Sequence, residues 1–137
     1  MITPQNAIES LTSLNKSIQQ NATCYNRISE CAKAYQGRQI RFRHYEGNVL
    51  VDVPLSCQWL WSAFADAVQR TVDKKPITQE SLSELAHRVE GIAANARVLI
   101  NYLSDSFMSE QPLNSIIGDL DSLLRMIDLL LADLRQK

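Results

Sequence analysis

The sequence predicts a mainly α fold, a four-helix up-and-down bundle with a β-hairpin inserted between helices 1 and 2. Three observations lead there. Most of the chain repeats apolar residues at helical spacing, in broad stripes of about three positions per heptad that suit a bundle core. Residues 39–53 alternate instead at period two, the strand signature. The last two helical stretches are joined by a short link, which makes them an antiparallel pair.

Helix 1 is expected over about residues 4–35. Thr3 suits the cap and Pro4 the first helical position, where its missing N–H costs nothing. Leu11, Ile18, Tyr25 and Ala32 form one apolar row, and Ala7, Leu14, Asn21, Ile28 and Tyr35 a second. Gly37 supplies a C-terminal stop. Asn21 or Thr23 could cap a fresh helix and split this one. The outer face carries Gln, Asn, Ser and Thr rather than charge.

The hairpin is expected over about residues 39–53. Ile40, Phe42 and His44 alternate with Arg41, Arg43 and Tyr45, and Val49, Val51 and Val53 alternate with Leu50 and Asp52. Gly47-Asn48 reads as the turn and Pro54 as the end of the second strand. A lone hairpin is marginal in water, so this one must pack on the helices or pair with another strand.

Helix 2 is expected over about 57–72 with Ser56 as cap and Leu60, Trp61, Phe64, Val68 and Thr71 on its apolar face. Helix 3 is expected over about 79–108, capped by Thr78, with Ile77 and Leu82 at the hydrophobic-staple positions. Its stripe runs Leu82, Leu85, Ala86, Val89, Ile92, Ala93, Ala96, Leu99, Ile100, Leu103 and Phe107. Residues 109–112 read as a turn. Helix 4 follows over about 112–136, from Leu113 through Leu120, Leu124 and Ile127 to Leu134. Gly91 and Gly118 inside these helices suggest close helix–helix approach. Helix 1 outruns helix 2, which leaves part of its stripe without an intrachain partner. A symmetric dimer through Leu11, Leu14, Ile18 and Tyr25 would bury it. The alternative is a helix 1 kinked near Asn21 that wraps its own bundle.

At 137 residues the chain fits one domain, 1–137, and its 45% hydrophobic and 21% charged content is that of a globular protein. The net charge of −1 offers no global field for nucleic acid or an anionic membrane. Residues 1–77 hold 9 Lys/Arg against 6 Asp/Glu, and residues 78–137 hold 5 against 9. Asp119, Asp121, Asp128 and Asp133 give helix 4 an acidic side, read as a solvated face. Cys24, Cys31 and Cys57 are too few and too scattered for a disulfide framework and suit a reducing compartment. Cys24 and Cys31, two turns apart on one helix, would be roughly 10 Å apart, too far for a disulfide. The opening residues lack the basic and apolar segments of a secretory leader, and the longest apolar run, residues 129–132, is too short to span a membrane. A cytoplasmic location is expected.

Three groups stand out as candidate sites. The basic hairpin carries Arg38, Arg41, Arg43, His44 and Tyr45. Arg and Tyr are favoured anchors for a protein partner, and a two-stranded ribbon can also enter a nucleic-acid groove. Trp59, Trp61 and Phe64 form an aromatic group. Trp61 and Phe64 belong to the core face, whereas Trp59 lies off it, either covered by the hairpin or exposed as a contact residue. The third group centres on His87, off the stripe of helix 3 and therefore facing solvent.

His87, Val89, Gly91 and Ala93 resemble the motif of histidine phosphotransfer domains. In that family an exposed His on a bundle helix is followed by an apolar residue, a Lys, a Gly and a small residue. The resemblance covers residues 86–93. It implies that His87 takes the phosphoryl group and that Gly91, one turn on, clears room for the partner. Glu90 stands where the family carries Lys, and a carboxylate there repels a phosphorylated His.

No metal or nucleotide motif is present. His44, His87 and the cysteines lack ligand spacing, and Gly37, Gly47, Gly91 and Gly118 form no phosphate loop. No cofactor is expected. The sequence therefore points to a non-catalytic protein-interaction module, such as a small adaptor, inhibitor or regulatory protein, acting as a helical homodimer. Its expected partner contacts are Arg41, Arg43, Tyr45 and Trp59. Phosphotransfer through His87 and nucleic-acid binding by the hairpin are the alternatives.

Overall fold

A computed structural model of the chain describes residues 1–21, 37–44, 47–106 and 111–135. Among them are four helices and one two-stranded antiparallel sheet in the expected order. They are α1 (Ala7–Asn21), β1 (Gln39–His44), β2 (Gly47–Asp52), α2 (Val53–Asp73), α3 (Gln79–Ser106) and α4 (Gln111–Arg135). The chain is mainly α, with the hairpin between the first and second helices.

Asn6, not Thr3, sets the start of α1. Its N–H donates to the Thr3 carbonyl at 3.2 Å. Its Oδ1 accepts the Thr3 N–H at 2.8 Å, and its Nδ2 donates to the Met1 carbonyl at 3.1 Å. Residues 3–6 thus close a turn, and the first helical bond runs from the Ser10 N–H to the Asn6 carbonyl. The helix begins three residues later than Pro4 suggests, because a short amide side chain closes a local turn in competition with helix. The expected continuation of helix 1 to residue 35, with Tyr25 and the possible break after Asn21, lies outside the described residues.

The bundle alternates up and down. α1 packs chiefly on α2, α2 on α3 and α3 on α4, while α1 also touches α4. The Ile2 N–H donates to the Asp133 carbonyl at 3.1 Å, and the terminal ammonium lies 3.7 Å from the Asp133 carboxylate. These contacts tie the start of the chain to the end of α4. Leu11, Ile18, Trp61, Phe64, Leu85, Leu99, Ile116 and Ile127 are fully buried together.

This packing bears on three expectations. Leu11 and Ile18 belong to the chain's own core and are not available to a second copy, and Leu14 is packed against that core. The described part of the stripe packs against α2, so Leu11 and Ile18 are taken up within the chain, while Tyr25 lies outside the described residues. Gly91 and Gly118 do not mark close helix approach, since a Cβ built at either meets nothing within 4 Å. Asp119 is also buried rather than part of a solvated acidic face.

The hairpin differs from expectation at both ends. His44 pairs with Gly47 and Arg43 with Asn48, so Gly47-Asn48 opens β2 instead of forming the turn. The connecting residues, 45 and 46, lie outside the described residues. Gly47 has φ +134, a conformation that L side chains rarely adopt, which explains a glycine at this corner. At the other end there is no loop. Asp52 is extended (φ −63, ψ 139) and Val53 is already helical, with Pro54 in the first turn. Pro54 therefore opens α2 rather than closing β2. Ser56 does not cap the helix from outside. It lies buried in the first turn, its hydroxyl donating to the Val53 carbonyl at 2.6 Å.

α3 starts as expected. The Thr78 hydroxyl accepts the Ser81 N–H at 3.2 Å and the Ser81 hydroxyl accepts the Thr78 N–H at 3.3 Å, a reciprocal cap. Pro112 sits in the first turn of α4, not in the preceding turn. Phe107 lies outside the described residues.

Candidate interaction surface

The hairpin leans on the bundle through one face. Pairing places Ile40 opposite Val51 and Phe42 opposite Val49. Ile40 and Phe42 are buried, β1 packs against α3, and β2 packs against α2. Phe42 meets Trp59 of α2 with ring centroids 5.3 Å apart and planes at 53°. Trp59 is half-buried, neither sealed under the hairpin nor left as an isolated exposed ring.

Beyond Trp59 the contact opens into a groove. Val49, Val51, Leu55, Gln58, Trp59 and Ser62 line a broad, open depression of about 510 Å³ between β2 and α2. None of the six is charged. Val49 is 40% exposed and Leu55 51%, and Leu50 on the opposite face of the strand is 56% exposed. β2 passes directly into α2 at Asp52, so the two walls of the groove adjoin in the chain. Positions 55, 58, 59 and 62 share one side of α2 because they follow helical spacing.

The strand's backbone adds polar groups to this apolar site. The Val53 N–H donates to the Arg38 carbonyl at 3.1 Å, in line with the hairpin register. In an antiparallel pair the bonded positions alternate, so Val51, Val49 and Gly47 turn their backbone groups toward β1. Asn48, Leu50 and Asp52 then turn theirs to the open edge. Among the described residues, no partner element lies beside that edge.

The other expected residues are spread out. Arg41 is exposed on the outer face, directly across from Leu50. The side chains of Arg43 and His44, and Tyr45 as a whole, lie outside the described residues. His87 is exposed on the side of α3 away from the core, with Gly91 exposed one turn on. Glu90 forms an ion pair with Arg135 of α4. A second depression, about 200 Å³, lies between α2 and α3 and is lined by Arg70, Lys74, Glu84 and Arg88 among others. There Lys74 is met by Glu84 at 3.2 Å.

Among the described residues, no three His, Cys, Asp or Glu side chains converge as metal ligands, and no helix is long and apolar enough to cross a membrane. The groove residues Leu55 and Gln58 went unnoticed in the sequence and Val49 was read only as a strand residue, although Leu55 and Trp59, four apart and both off the Leu60–Phe64 face, were the available signal. No protein-family model, curated protein or solved structure matches the chain.

Proposed function

We propose that the chain is a non-catalytic protein-interaction module of the cytoplasm, and that it works through the groove between β2 and α2. The observation that carries this reading is the conjunction of an uncharged groove, exposed Val49 and Leu55, and an adjoining open strand edge. Scattered exposed apolar residues are ordinary, but a concave cluster with an aromatic anchor is the arrangement of a protein-docking site. An extended segment laid along β2 would gain backbone hydrogen bonds from the edge and bury its alternate side chains in the groove. Homodimer formation belongs to this reading, with its seam moved away from α1. Three cysteines in no disulfide-like pattern fit the cytoplasm.

The test is photo-crosslinking in the native host from a photoreactive side chain at position 55, with position 129 as control. Leu129 is 69% exposed and lies on α4, remote from the groove in sequence and in element. Discrete adducts from position 55, absent from position 129 and lost when Trp59 is replaced by Ala, are expected. Equal adducts from both positions would remove the groove as the working surface.

One observation favours a second reading. The Arg135 guanidinium pairs with Glu90, which offsets the carboxylate that would oppose a phosphoryl group on exposed His87. Phosphotransfer through His87 predicts that a phosphorylated receiver protein labels the chain, and that His87→Gln abolishes the label. Label retained in His87→Gln, or never acquired, removes this reading.

A further inference from the structure

Natural proteins guard open strand edges with Lys, Arg, Pro or bulges, or cover them with another element. The two edges of this hairpin are treated differently. β1 carries Arg41 and Arg43 and packs against α3. β2 reads Gly-Asn-Val-Leu-Val-Asp, with no basic residue and no proline. Its pairing with β1 has no bulge, since six consecutive residues on each strand match one to one. Among the described residues, β2 has no neighbour on its far side.

The chemistry of β2 is complementary to itself. An antiparallel twofold centred on Leu50 sets Leu50 against Leu50 and Asn48 against Asp52. The only charged side chain of the strand then faces an amide that can donate to it, not a second carboxylate. The backbone groups of Asn48 and Leu50 point outward in the hairpin, so each meets a matching pair across the axis. Val49 and Val51 of the incoming strand fall on the groove side, over Leu55 and Trp59, where no charge opposes their burial. The exposed Leu50 side chains meet on the outer face. The two Arg41 side chains end on strands three spacings apart, about 14 Å, beyond the range of unscreened repulsion.

We infer that β2 pairs with β2 of a second copy to form a continuous four-stranded antiparallel sheet, each copy's Val49 and Val51 covering the other's groove. The inference rests on the interaction-module reading and names its partner. A foreign peptide would meet the same edge, but the chain itself supplies a strand of fitting pattern and charge in an already ordered form, so pairing avoids the backbone-ordering cost of a disordered peptide.

Sedimentation of the full chain over a range of concentrations tests it. The wild type is expected to dimerise, and Leu50→Lys, which sets two like charges face to face on the axis, is expected to weaken the dimer at least about tenfold. The thermal transition of dilute Leu50→Lys should match that of dilute wild type, since Leu50 is exposed. Leu50→Cys should link copies covalently under mild oxidation, because bonded antiparallel partners lie about 5.5 Å apart at Cα, within disulfide reach. Leu129→Cys should not. A wild type monomeric at high micromolar, a Leu50→Lys dimer as tight as wild type, or equal linking at positions 50 and 129 each overturns the pairing. Should the wild type be monomeric while position 55 still crosslinks to other proteins, only the self-pairing fails. Absence of adducts of either kind removes both readings.

Discussion

Single residues decide where this chain changes direction. Asn6 closes a turn that a reading of Thr3 and Pro4 alone places inside the helix. Thr78 and Ser81 cap α3 reciprocally, and Thr78→Ala is expected to cost about 1 kcal/mol, read as a lower urea midpoint with unchanged slope. A midpoint equal to wild type would show that the cap contributes nothing. Thr78 was legible because a cap is a local device: its partner sits three residues away. The buried Trp61 indole N–H, which finds no partner among the described residues, was not legible, because only the packed core shows what surrounds it.

At the scale of elements, the hairpin depends on the helices it rests on. Two strands do not persist alone in water. Phe42 is fully buried and meets Trp59, so it acts as the anchor. Phe42→Ala is expected to cost about 3–5 kcal/mol. Hydrogen exchange should show the β1–β2 amides losing more protection than those of α3, and uniform loss across both would contradict the anchoring role. The period-two alternation of residues 39–53 identified the strands. It could not locate the turn, because Gly47-Asn48 suits either a turn or a strand corner, and register is settled by which residues meet the core. Pro54 was ambiguous in the same way. It stops a strand and opens a helix, and here the second role fuses the groove's two walls.

In the molecule as a whole, the described helix stripes pack on one another, and Val49, Leu50 and Leu55 gather three of the exposed large apolar side chains at the hairpin and the start of α2. α1 finds its cover in α2 and α4. Leu11 and Ile18, expected at a dimer seam, are buried inside the chain instead: an apolar row in sequence calls for burial but does not say against what. Exposed Leu50, Leu55 and Val49 move the question of association to β2. Trp59 was singled out from sequence and lines the groove. Arg41, named with it, lies on the opposite face of the strand. The alternation of Ile40 and Phe42 with Arg41 and Arg43 separated the two faces of β1, whereas only docking on α2 and α3 shows that Trp59 lies on the inner side.

What the sequence determined by itself was the set of elements: four helical stretches, one hairpin, their order and most of the buried rows. Periodicity and caps are local, and they survive in a linear reading. What only the tertiary structure decided was which faces had no partner left. That is a property of the whole packing, since a residue is exposed only after every other element has been placed. The groove beside β2 arises in this way, from a strand that runs without a loop into α2 and, among the described residues, has no element along its outer edge.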